Sequence, residues 1–537
     1  MTTRHVFVVG SGPSGVHFAE TALAKGWAVT MIDVGRQAPA PVLPDARFDQ
    51  LKDDLDDPVG YFLGSDYHGA VLPDFDKEYY GIPPSKQYVF EDPAVFTSSS
   101  DGFDPLFSLA RGGLAQAWTA GCYPFNDAEL SDFPFGYDRL GPHYDEVARR
   151  IGVTGEADDL APFMPVHANL LPPIPFDTHS AVLARQYARK RTRLNTRLGA
   201  YLGRTRVATL SVDKDDRQGC ARLGRCLWGC PRQSLYTPSL TLTTLVGRAN
   251  FRYLPHLEVV RFTVGDNGRA VTLHARDTST GELAEWPVEE LVLAAGALTT
   301  TRIVLESVRA ATGERIRLPG LMDNRQVLVP FLSLRMLGQP YDPGTYQYHL
   351  LGLGLAQPEA KEYVHGQITT LKTALMHPIV QQLPFDLRSS LLISRTTHAA
   401  LGVVNVNLHD TRRETNWVEL DDAADRPRLR LRYQPDQAES ARLTAALSRV
   451  GKALWQLGCI LPPGMQHVRP MGASVHYAGT LPMTVTHGGR WTTDAHGRSR
   501  AFPNVMVADG ATFPFLPAKN LTFTLMANAS RIASENL

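Results

Sequence analysis

The fold class is decided by a short stretch near the start of the chain, Val8-Val9-Gly10-Ser11-Gly12-Pro13-Ser14-Gly15. It follows the apolar run His5–Val9 and precedes a helical pattern that ends at Gly26. This order predicts a buried strand, a tight turn and a helix. A second strand is predicted over Trp27–Ile32 and ends at Asp33. The unit predicts an α/β chain whose first domain is Rossmann-like.

The spacing of the three glycines has a chemical meaning in this context. Gly10 permits the tight turn, Gly12 lets the backbone approach a pyrophosphate, and Gly15 lets the helix pack closely on the strand. The helix N-terminus faces the negative charge, and Asp33 can accept hydrogen bonds from a ribose diol. The unit predicts a dinucleotide site but does not distinguish FAD from NAD. The alternative is a glycine turn that holds no ligand.

Composition and charge exclude several classes of protein. The chain has 537 residues, of which 43% are hydrophobic and 20% charged, as expected of a soluble globular protein. Lys+Arg and Asp+Glu are 54 each, so no basic excess points to nucleic acid or to an anionic membrane. No apolar run is long enough for a membrane span, and the first apolar run is too short for a signal sequence. We therefore expect a cytoplasmic protein without a disulfide framework.

The rest of the chain predicts a second, antiparallel sheet. Residues from about 37 to 105 are rich in Pro, Gly and Asp and are predicted to be loops or a cap. Strand-like runs alternate between about 326 and 434, at Val327–Leu332, Val403–Leu408 and Leu429–Tyr433. The remaining predicted elements are helices at Tyr137–Ile151, Ser180–Leu198, Ala297–Leu305, Ser440–Leu457 and Thr522–Ser534 and strands at Glu290–Leu293 and Val505–Ala508.

Three further groups of motifs follow the glycine turn along the chain. They are Arg111-Gly112-Gly113-Leu114-Ala115-Gln116-Ala117-Trp118-Thr119-Ala120-Gly121, then Leu291-Val292-Leu293-Ala294-Ala295-Gly296-Ala297, and finally the C-terminal segments Ser474–Thr480, Val507-Ala508-Asp509-Gly510 and Lys519–Thr524. Together with the first turn, they resemble the motifs of the glucose–methanol–choline (GMC) oxidoreductases, in the same order and over most of the chain.

The resemblance implies FAD as the cofactor. The residues that it assigns to FAD are Gly10, Gly12, Gly15 and Asp33 (where the family more often has Glu), Gly112, Gly113, Ala117, Trp118, Thr119, Val260, Ala295, Gly296, Asp509 and Gly510. Trp118-Thr119 is similar to a pair in pyranose oxidases, where the threonine lies near flavin N5. Those oxidases carry a covalently linked histidine just before the tryptophan. Ala117 stands at that place here, so we expect FAD to be bound non-covalently.

The resemblance also assigns a catalytic pair, His476 and Asn520, although Leu521 replaces the family's usual proline. Oxidation of an alcohol removes a proton from O–H and a hydride from the adjacent C–H. A histidine suits the base because its pKa lies near neutrality, and Asn520 would hold the hydroxyl oxygen. The expected reaction is oxidation of a CH–OH group, with a sugar, glycoside or polyol as the leading substrate and hydride transfer to flavin N5. The electron acceptor would be O₂ or a redox partner.

Three other interpretations stay open. The substrate could be a hydrophobic alcohol such as a sterol or terpenoid, which an apolar lining from the 326–470 region would favour, whereas polar and aromatic residues there would favour a sugar. The chain could bind FAD without catalysis, in which case no alcohol would bleach the flavin. A nicotinamide dehydrogenase is the most distant possibility, and a flavin spectrum would exclude it.

A cysteine cluster supplies a further candidate site. Cys220, Cys226 and Cys230 stand in the pattern C-x₅-C-x₃-C-P. Thiolates at such spacings can hold an iron–sulfur cluster, and the spacing is similar to that in some sugar dehydrogenases of the GMC family. Zinc would need a fourth ligand, which no nearby histidine offers. The alternative is a structural loop of reduced thiols.

These interpretations divide the chain into three ranges. Residues 1–325 would form most of the FAD-binding domain, with the cap inserted at about 37–105. Residues 326–470 would form the antiparallel substrate-binding domain, which would roof the flavin. Residues 471–537 would return to the FAD-binding domain and carry the catalytic pair.

Overall fold

A computed structural model of the chain describes residues 4–38, 43–65, 67, 78, 81–371, 380, 383–421, 427–485 and 489–537. The helices in these ranges are α1 (Pro13–Ala24), α2 (Leu51–Asp54), α3 (Pro58–Leu63), α4 (Pro93–Phe96), α5 (Tyr137–Ile151), α6 (Thr178–Leu198), α7 (Pro238–Val246), α8 (Ala297–Thr312), α9 (Leu387–Thr397), α10 (Glu439–Gln456) and α11 (Thr522–Asn536). The predicted long helices are confirmed to within a few residues at their ends, except that the helix predicted from Ala297 to Leu305 continues to Thr312.

The strands of the same ranges are β1 (His5–Val9), β2 (Ala28–Ile32), β3 (Thr97–Asp101), β4 (Val153–Thr154), β5 (Leu170–Leu171), β6 (Ala200–Arg204), β7 (Phe251–Leu254), β8 (Leu257–Val264), β9 (Ala270–Asp277), β10 (Leu283–Pro287), β11 (Leu291–Leu293), β12 (Arg317–Pro319), β13 (Arg325–Ser333), β14 (His349–Leu355), β15 (Val364–Thr370), β16 (Leu401–Leu408), β17 (Asp410–Thr411), β18 (Trp417–Asp421), β19 (Arg428–Arg432), β20 (Cys459–Ile460), β21 (His467–Val468), β22 (Val505–Val507) and β23 (Phe515–Leu516).

The first sheet is parallel, as the glycine turn predicts. Its five strands run in the order β22-β11-β1-β2-β7, and each neighbouring pair is parallel. Helix α1 packs between this sheet and α11, and its apolar residues are buried with those of β1. The chain leaves β1 toward β2 on one side, while β11 pairs on the other side. The carboxyl ends of β1 and β11 therefore flank a crevice of the kind that binds ligands in such folds.

The second large sheet is antiparallel and has two different faces. Its strands run in the order β20-β13-β16-β15-β14-β6, and β21 also pairs with β13. Alternate residues of β13 and β16, such as Val327 and Val406, pack with apolar residues of α6 and α10. The residues between them, among them Leu328 and Asn405, point to the opposite face because side chains alternate along a strand. The part of this second face that lies over the crevice of the parallel sheet is mainly polar, with Gln326, Gln367 and Asn405 beside Leu328.

Two predicted features of the antiparallel region need correction. The run Leu429–Tyr433 does not join this sheet: it forms β19, which pairs with β18 and β3 in a separate four-stranded sheet. Leu429 and Leu431 are buried there in the core that also covers α8, so this strand packs on the side of the molecule that holds the parallel sheet. In its place the antiparallel sheet takes β6, which lies outside the predicted range of residues 326 to 434.

The predicted cap segment, residues 37–105, lies only partly within the described ranges. Its described part contains the short helices α2 to α4, the strand β3 and connecting loops. Residues 39–42, 66, 68–77 and 79–80 of this prediction lie outside the described residues. Across the described part of the whole chain, no helix has the length and apolar character needed to cross a membrane.

Candidate active site

A cavity of about 500 Å³ lies at the carboxyl ends of the parallel strands, beneath the polar face of the antiparallel sheet. Every group of motifs that the sequence singled out for the cofactor and the catalytic pair contributes to its wall. The predicted residues that line it are Gly10, Gly12, Asp33, Gly113, Ala117, Trp118, Thr119, Ala295, Gly296, His476, Asp509, Gly510 and Asn520. Segments that are hundreds of residues apart in sequence thus meet at one site.

The glycine turn provides a passage for a diphosphate. A Cβ at Gly15 would lie 1.9 Å from the carbonyl oxygen of Gly10, so only the hydrogen of glycine fits at this position. A Cβ at Gly12 would meet nothing within 4 Å, because its side faces the open cavity. Helix α1 begins at Pro13, and its first turn directs unpaired N–H groups toward that space.

Asp33 is buried at the end of β2 and connects two of the motifs. Its carboxylate accepts hydrogen bonds from Ser11 Oγ and, at 3.3 Å, from the Tyr253 hydroxyl. Ser11 Oγ in turn accepts from the backbone N–H of Gly112 at 2.9 Å. Burial raises the pKa of Asp33 to about 6, although these hydrogen bonds oppose the rise. The carboxylate therefore fastens the glycine turn to the Gly112-Gly113 segment and still borders the cavity.

Asp509 holds the turn after β22 against the turn after β11. It accepts hydrogen bonds from the N–H of Gly296 at 2.9 Å, from Thr300 Oγ1 at 2.5 Å and from the N–H of Ala511 at 3.0 Å. Burial raises its pKa to about 6, against the effect of those donors. Asp509 thus shapes both turns where they border the cavity.

Three predicted cofactor residues do not line the cavity. Gly15 and Gly112 lie behind the wall, where they take part in the backbone packing and the hydrogen bond given above. Val260 is not among the residues that line the cavity, whereas its neighbour Val259 is.

The imidazole of His476 is held in one orientation by Asn324. His476 Nδ1 lies 2.9 Å from Asn324 Oδ1. The amide nitrogen of Asn324 donates to the carbonyl oxygens of Leu408 and Pro517, both at 2.9 Å. With both amide hydrogens engaged, Asn324 can offer the ring only an acceptor. His476 therefore carries its hydrogen on Nδ1, and Nε2 keeps a lone pair.

Asp323 fixes the backbone of the segment that carries His476. Its buried carboxylate accepts from the N–H of Gly472 at 2.6 Å, from the N–H of His476 at 3.2 Å and from Ser474 Oγ. Within this segment Val475 has φ of 63°, which is unfavourable for a β-branched residue. Such a conformation costs on the order of 1–3 kcal/mol and persists where surrounding contacts impose it. The hydrogen bonds to Asp323 supply that constraint.

Asn520 meets His476 from the other side of the site. Its Nδ2 lies 3.4 Å from His476 Nε2, and its Oδ1 accepts from Gln367 Nε2 at 2.5 Å. Gln367 thereby turns the N–H₂ group of Asn520 toward His476. The preceding residue, Lys519, is fully buried and forms an ion pair of 2.5 Å with Glu129, which is also fully buried. These contacts hold Asn520 at the cavity wall.

The environment of His476 keeps its ring neutral. Burial lowers its pKa to about 4, and the positive charge of Arg469 adds to that effect. At neutral pH the ring is uncharged, and its Nε2, which carries no hydrogen, can accept a proton. The sequence alone gave no sign of Asn324, Asp323 or Gln367, because each acts on a residue more than 145 positions away.

The three clustered cysteines do not form a metal site in the described part of the chain. Cys220, Cys226 and Cys230 are free thiols, and the described residues contain no group of three or more His, Cys, Asp or Glu side chains placed to hold a metal. Burial raises the pKa of Cys220 to about 11 and that of Cys226 well above its ordinary value. Cys220 and Cys226 are therefore protonated at neutral pH, which fits the second interpretation, a structural loop; Leu227 of this loop lines the cavity.

Comparisons with known proteins show which sequences this chain is similar to. Residues 412–529 match the C-terminal family model described as GMC oxidoreductase. Over 98% of its length the chain is 25% identical to a C-glycoside 3-oxidase from Microbacterium trichothecenolyticum, covering 95% of that protein. Over 98% of its length it is also 22% identical to a 2-methyl-1,2-propanediol dehydrogenase from Mycolicibacterium austroafricanum, covering 94% of it.

Among solved structures, the fold is similar to that of pyridoxine 4-oxidase from Mesorbium loti, with a TM-score of 0.61, 15% identity and 99% of each chain covered. An FAD-dependent oxidoreductase from Chaetomium thermophilum gives a TM-score of 0.59 at 13% identity, over 98% of each chain. At these identities the structural likeness concerns the fold.

Proposed function

We propose that this chain, whose C-terminal part belongs to the GMC oxidoreductase family, is an FAD-dependent enzyme that oxidises a CH–OH group of a sugar, glycoside or polyol. One observation carries the proposal. The free Nε2 of His476 and the amide of Asn520 lie 3.4 Å apart on the wall of the cavity that also contains the open glycine turn. A general base and a hydroxyl-binding amide thus face the space that would hold a cofactor.

The residues present fit FAD. The open side of Gly12 and the first turn of α1 would hold the diphosphate, Asp33 would accept from a ribose diol, and the Gly112–Thr119 segment would lie along the ring system. When bound, FAD supplies the acceptor for a hydride. Ala117 offers only a methyl group at the place where pyranose oxidases carry their covalently linked histidine, so the proposed attachment is non-covalent.

The catalytic pair would act on the two sides of the alcohol. His476 Nε2 takes the hydroxyl proton, and Asn520 Nδ2 donates a hydrogen bond to the hydroxyl oxygen. The oxygen's electrons then form the carbonyl as the hydride leaves the adjacent carbon. Asn324 Oδ1, which accepts from Nδ1–H, stabilises the imidazolium that proton transfer creates. In this reaction the alcohol would lose one proton to His476 and one hydride, for which bound FAD would be the acceptor.

The polarity of the roof favours a saccharide over a sterol. From residues 326–470 the cavity wall receives Gln326, Leu328, Tyr348, Gln367, Asn405 and Arg469, and only Leu328 of these is wholly apolar. A fused hydrocarbon ring system would leave the buried side-chain oxygens of Asn405 and Tyr348 without partners. The names of two relatives, a C-glycoside 3-oxidase and a diol dehydrogenase, point in the same direction.

We further propose that the molecule divides as the sequence indicates, with one change. Residues 1–325 and 471–537 would bind FAD, and residues 326–470 would cover the substrate, with β6 added to the second unit and β19 assigned to the first. The electron acceptor, O₂ or a redox partner, and the cytoplasmic location remain predictions.

An absorption spectrum of anaerobically purified protein, together with iron analysis, tests the cofactor assignment. We expect a flavin spectrum, flavin released by denaturation, and no stoichiometric iron. Anaerobic addition of methyl β-D-glucopyranoside, glycerol, cyclohexanol and cholesterol then tests the reaction. Bleaching by a saccharide or polyol supports the proposal, and bleaching by cholesterol alone would favour the hydrophobic alternative. If no alcohol bleaches the flavin, the chain is a non-catalytic FAD protein.

Loss of the base provides the matched control. His476→Ala is expected to retain bound flavin and to lose most of the bleaching rate. Bleaching at the unaltered rate in this variant would remove His476 from the reaction.

A further inference from the structure

We propose that Asn405 forms a second hydroxyl-binding position beside the catalytic pair, so that the preferred substrate carries a hydroxyl group on the carbon next to the one oxidised. This inference rests on the proposed function, oxidation of a sugar, glycoside or polyol, and assigns a residue that binds the hydroxyl next to the reacting one. It concerns a residue that no sequence motif singled out.

The sheet register places Asn405 next to the residue that holds Asn520. Asn405 on β16 is paired directly with Gln367 on β15 and with Leu328 on β13. All three side chains line the cavity. Directly paired residues on one face have Cβ atoms about 4.5–5.5 Å apart. Because Gln367 donates to Asn520, Asn405 lies one strand away from the residue that orients the catalytic amide.

The side-chain oxygen of Asn405 lacks a partner in the protein. Asn405 Oδ1 is buried, and within the described residues no donor reaches it. The neighbouring roof amides differ: Gln367 donates to Asn520, and Gln326 Oε1 accepts from Arg469 at 2.8 Å. Buried polar atoms are nearly always paired. An oxygen of this kind that faces a substrate cavity is paired when the ligand supplies a donor.

The missing partner has a defined chemistry. An amide oxygen only accepts hydrogen bonds, so the ligand must bring an O–H or N–H to it while its reacting hydroxyl occupies His476 and Asn520. A monohydric alcohol has no second donor, whereas a vicinal diol brings one on the adjacent carbon. The hydroxyl of Tyr348, which is also buried and without a partner in the described structure, lines the same cavity. It offers a place for a more distant hydroxyl of a sugar ring.

Deoxy analogues of one sugar test this inference without any variant. The probes are methyl β-D-glucopyranoside and its four monodeoxy derivatives. The readout is the apparent second-order rate constant of anaerobic flavin bleaching, written kcat/KM below. Removal of the reacting hydroxyl abolishes bleaching. Removal of a hydroxyl next to it is expected to lower kcat/KM by about tenfold or more, because the buried acceptor is again left unpaired. Removal of a remote hydroxyl is expected to have less effect.

Asn405→Ala identifies the residue responsible. It should lower kcat/KM about tenfold for the parent glucoside but cause little further loss for the one analogue that lacks the neighbouring hydroxyl. Leu328→Ala is the matched control, because it alters the same wall without removing a polar group. It should change kcat/KM for the parent and that analogue by the same factor. The flavin spectrum of each variant verifies that the cofactor site is intact.

The outcomes separate this inference from the proposed function. If the parent glucoside bleaches the flavin and every analogue with an adjacent hydroxyl removed does so within twofold, Asn405 binds no substrate hydroxyl and only this inference fails. Equal effects of Asn405→Ala on the parent and all analogues would overturn it in the same way. If cyclohexanol bleaches the flavin and the glucoside does not, or if no alcohol does, the proposed function and this inference are both refuted.

Discussion

Replacement of Asn324 by leucine should slow flavin reduction without removing the base itself. In the wild-type chain Asn324 Oδ1 accepts from His476 Nδ1 at 2.9 Å, and its amide hydrogens are engaged by two carbonyl oxygens. Leucine has a similar size but offers no acceptor, so the tautomer with hydrogen on Nδ1 would leave that hydrogen buried and unpaired. The other tautomer, with hydrogen on Nε2, cannot take a proton from the substrate.

The size of the effect follows from the cost of the unpaired group. Leaving a buried donor without a partner costs about 1–3 kcal/mol. Since each 1.36 kcal/mol of barrier is a factor of ten in rate, bleaching at saturating substrate should be slower by about 5- to 150-fold. The flavin content should stay that of the wild type, because Asn324 does not belong to the cavity lining. Stopped-flow absorbance under anaerobic conditions measures the rate directly.

A second asparagine in the chain provides a matched control. Asn504 donates from its amide nitrogen to the carbonyl oxygens of Ala270 and Glu289, both at 2.8 Å, just as Asn324 donates to two carbonyls. Asn504→Leu therefore carries a similar loss of hydrogen bonds at a place away from the cavity. Asn324→Asp keeps an acceptor facing Nδ1 and should be faster than Asn324→Leu. If Asn324→Leu bleaches as fast as Asn504→Leu, Asn324 does not select the tautomer.

Three further results are expected. Burial lowers the pKa of His476 to about 4. The bleaching rate at saturating substrate should therefore be constant from pH 8 to about pH 5 and fall only at lower pH, where the base is protonated. A decline centred near pH 6.5 would contradict the buried, neutral ring. Gly12→Ala should leave the thermal unfolding of the apoprotein almost unchanged, because its Cβ meets nothing within 4 Å, but should weaken FAD binding in a titration. Gly15→Ala should instead destabilise the fold by about 1–3 kcal/mol or more, because its Cβ overpacks the turn. Lys519→Met leaves the carboxylate of Glu129 buried without its ion-pair partner and should lower the free energy of unfolding by about 3–5 kcal/mol. The double variant Lys519→Met with Glu129→Leu should regain a part of that loss, and additive losses would show that the pair is not coupled.

The parallel half of the fold could be predicted from the sequence because backbone geometry restricts which residue types certain positions accept. At Gly15 only hydrogen fits beside the carbonyl of Gly10, and at Gly10 φ is 97°. These requirements leave a glycine pattern after a strand that can be recognised without coordinates. The strand bounds His5–Val9 are those predicted. The catalytic roles of His476 and Asn520 remain predictions, although the structure brings the two side chains together.

The strand at residues 428–432 shows where periodicity stops being informative. The alternation of Leu429 and Leu431 with charged residues correctly indicates a strand with one buried face. It does not indicate which sheet covers that face. Pairing with β3, which lies more than 320 residues earlier in the chain, depends on the packing around α8 and has no local signature. The same holds for β6, which joins the antiparallel sheet from outside the predicted range.

The two walls of the cavity differ in what determines them, and this explains which site residues could be named. The lower wall would contact the proposed cofactor mainly through backbone atoms. Glycine is the residue that best allows such a close approach, so these positions can be recognised in the sequence. The upper wall acts through amide side chains, with Gln367 and Asn405 in the lining and Asn324 behind it, and the role of each depends on which partners its hydrogens and lone pairs find. Asparagine and glutamine elsewhere in the chain satisfy turns and caps with the same groups. Only the structure shows that Asn324 donates both amide hydrogens to carbonyl oxygens, and that the side-chain oxygen of Asn405 has no hydrogen-bond partner among the described residues. These two facts make Asn324 a positioning residue and Asn405 a candidate for substrate recognition.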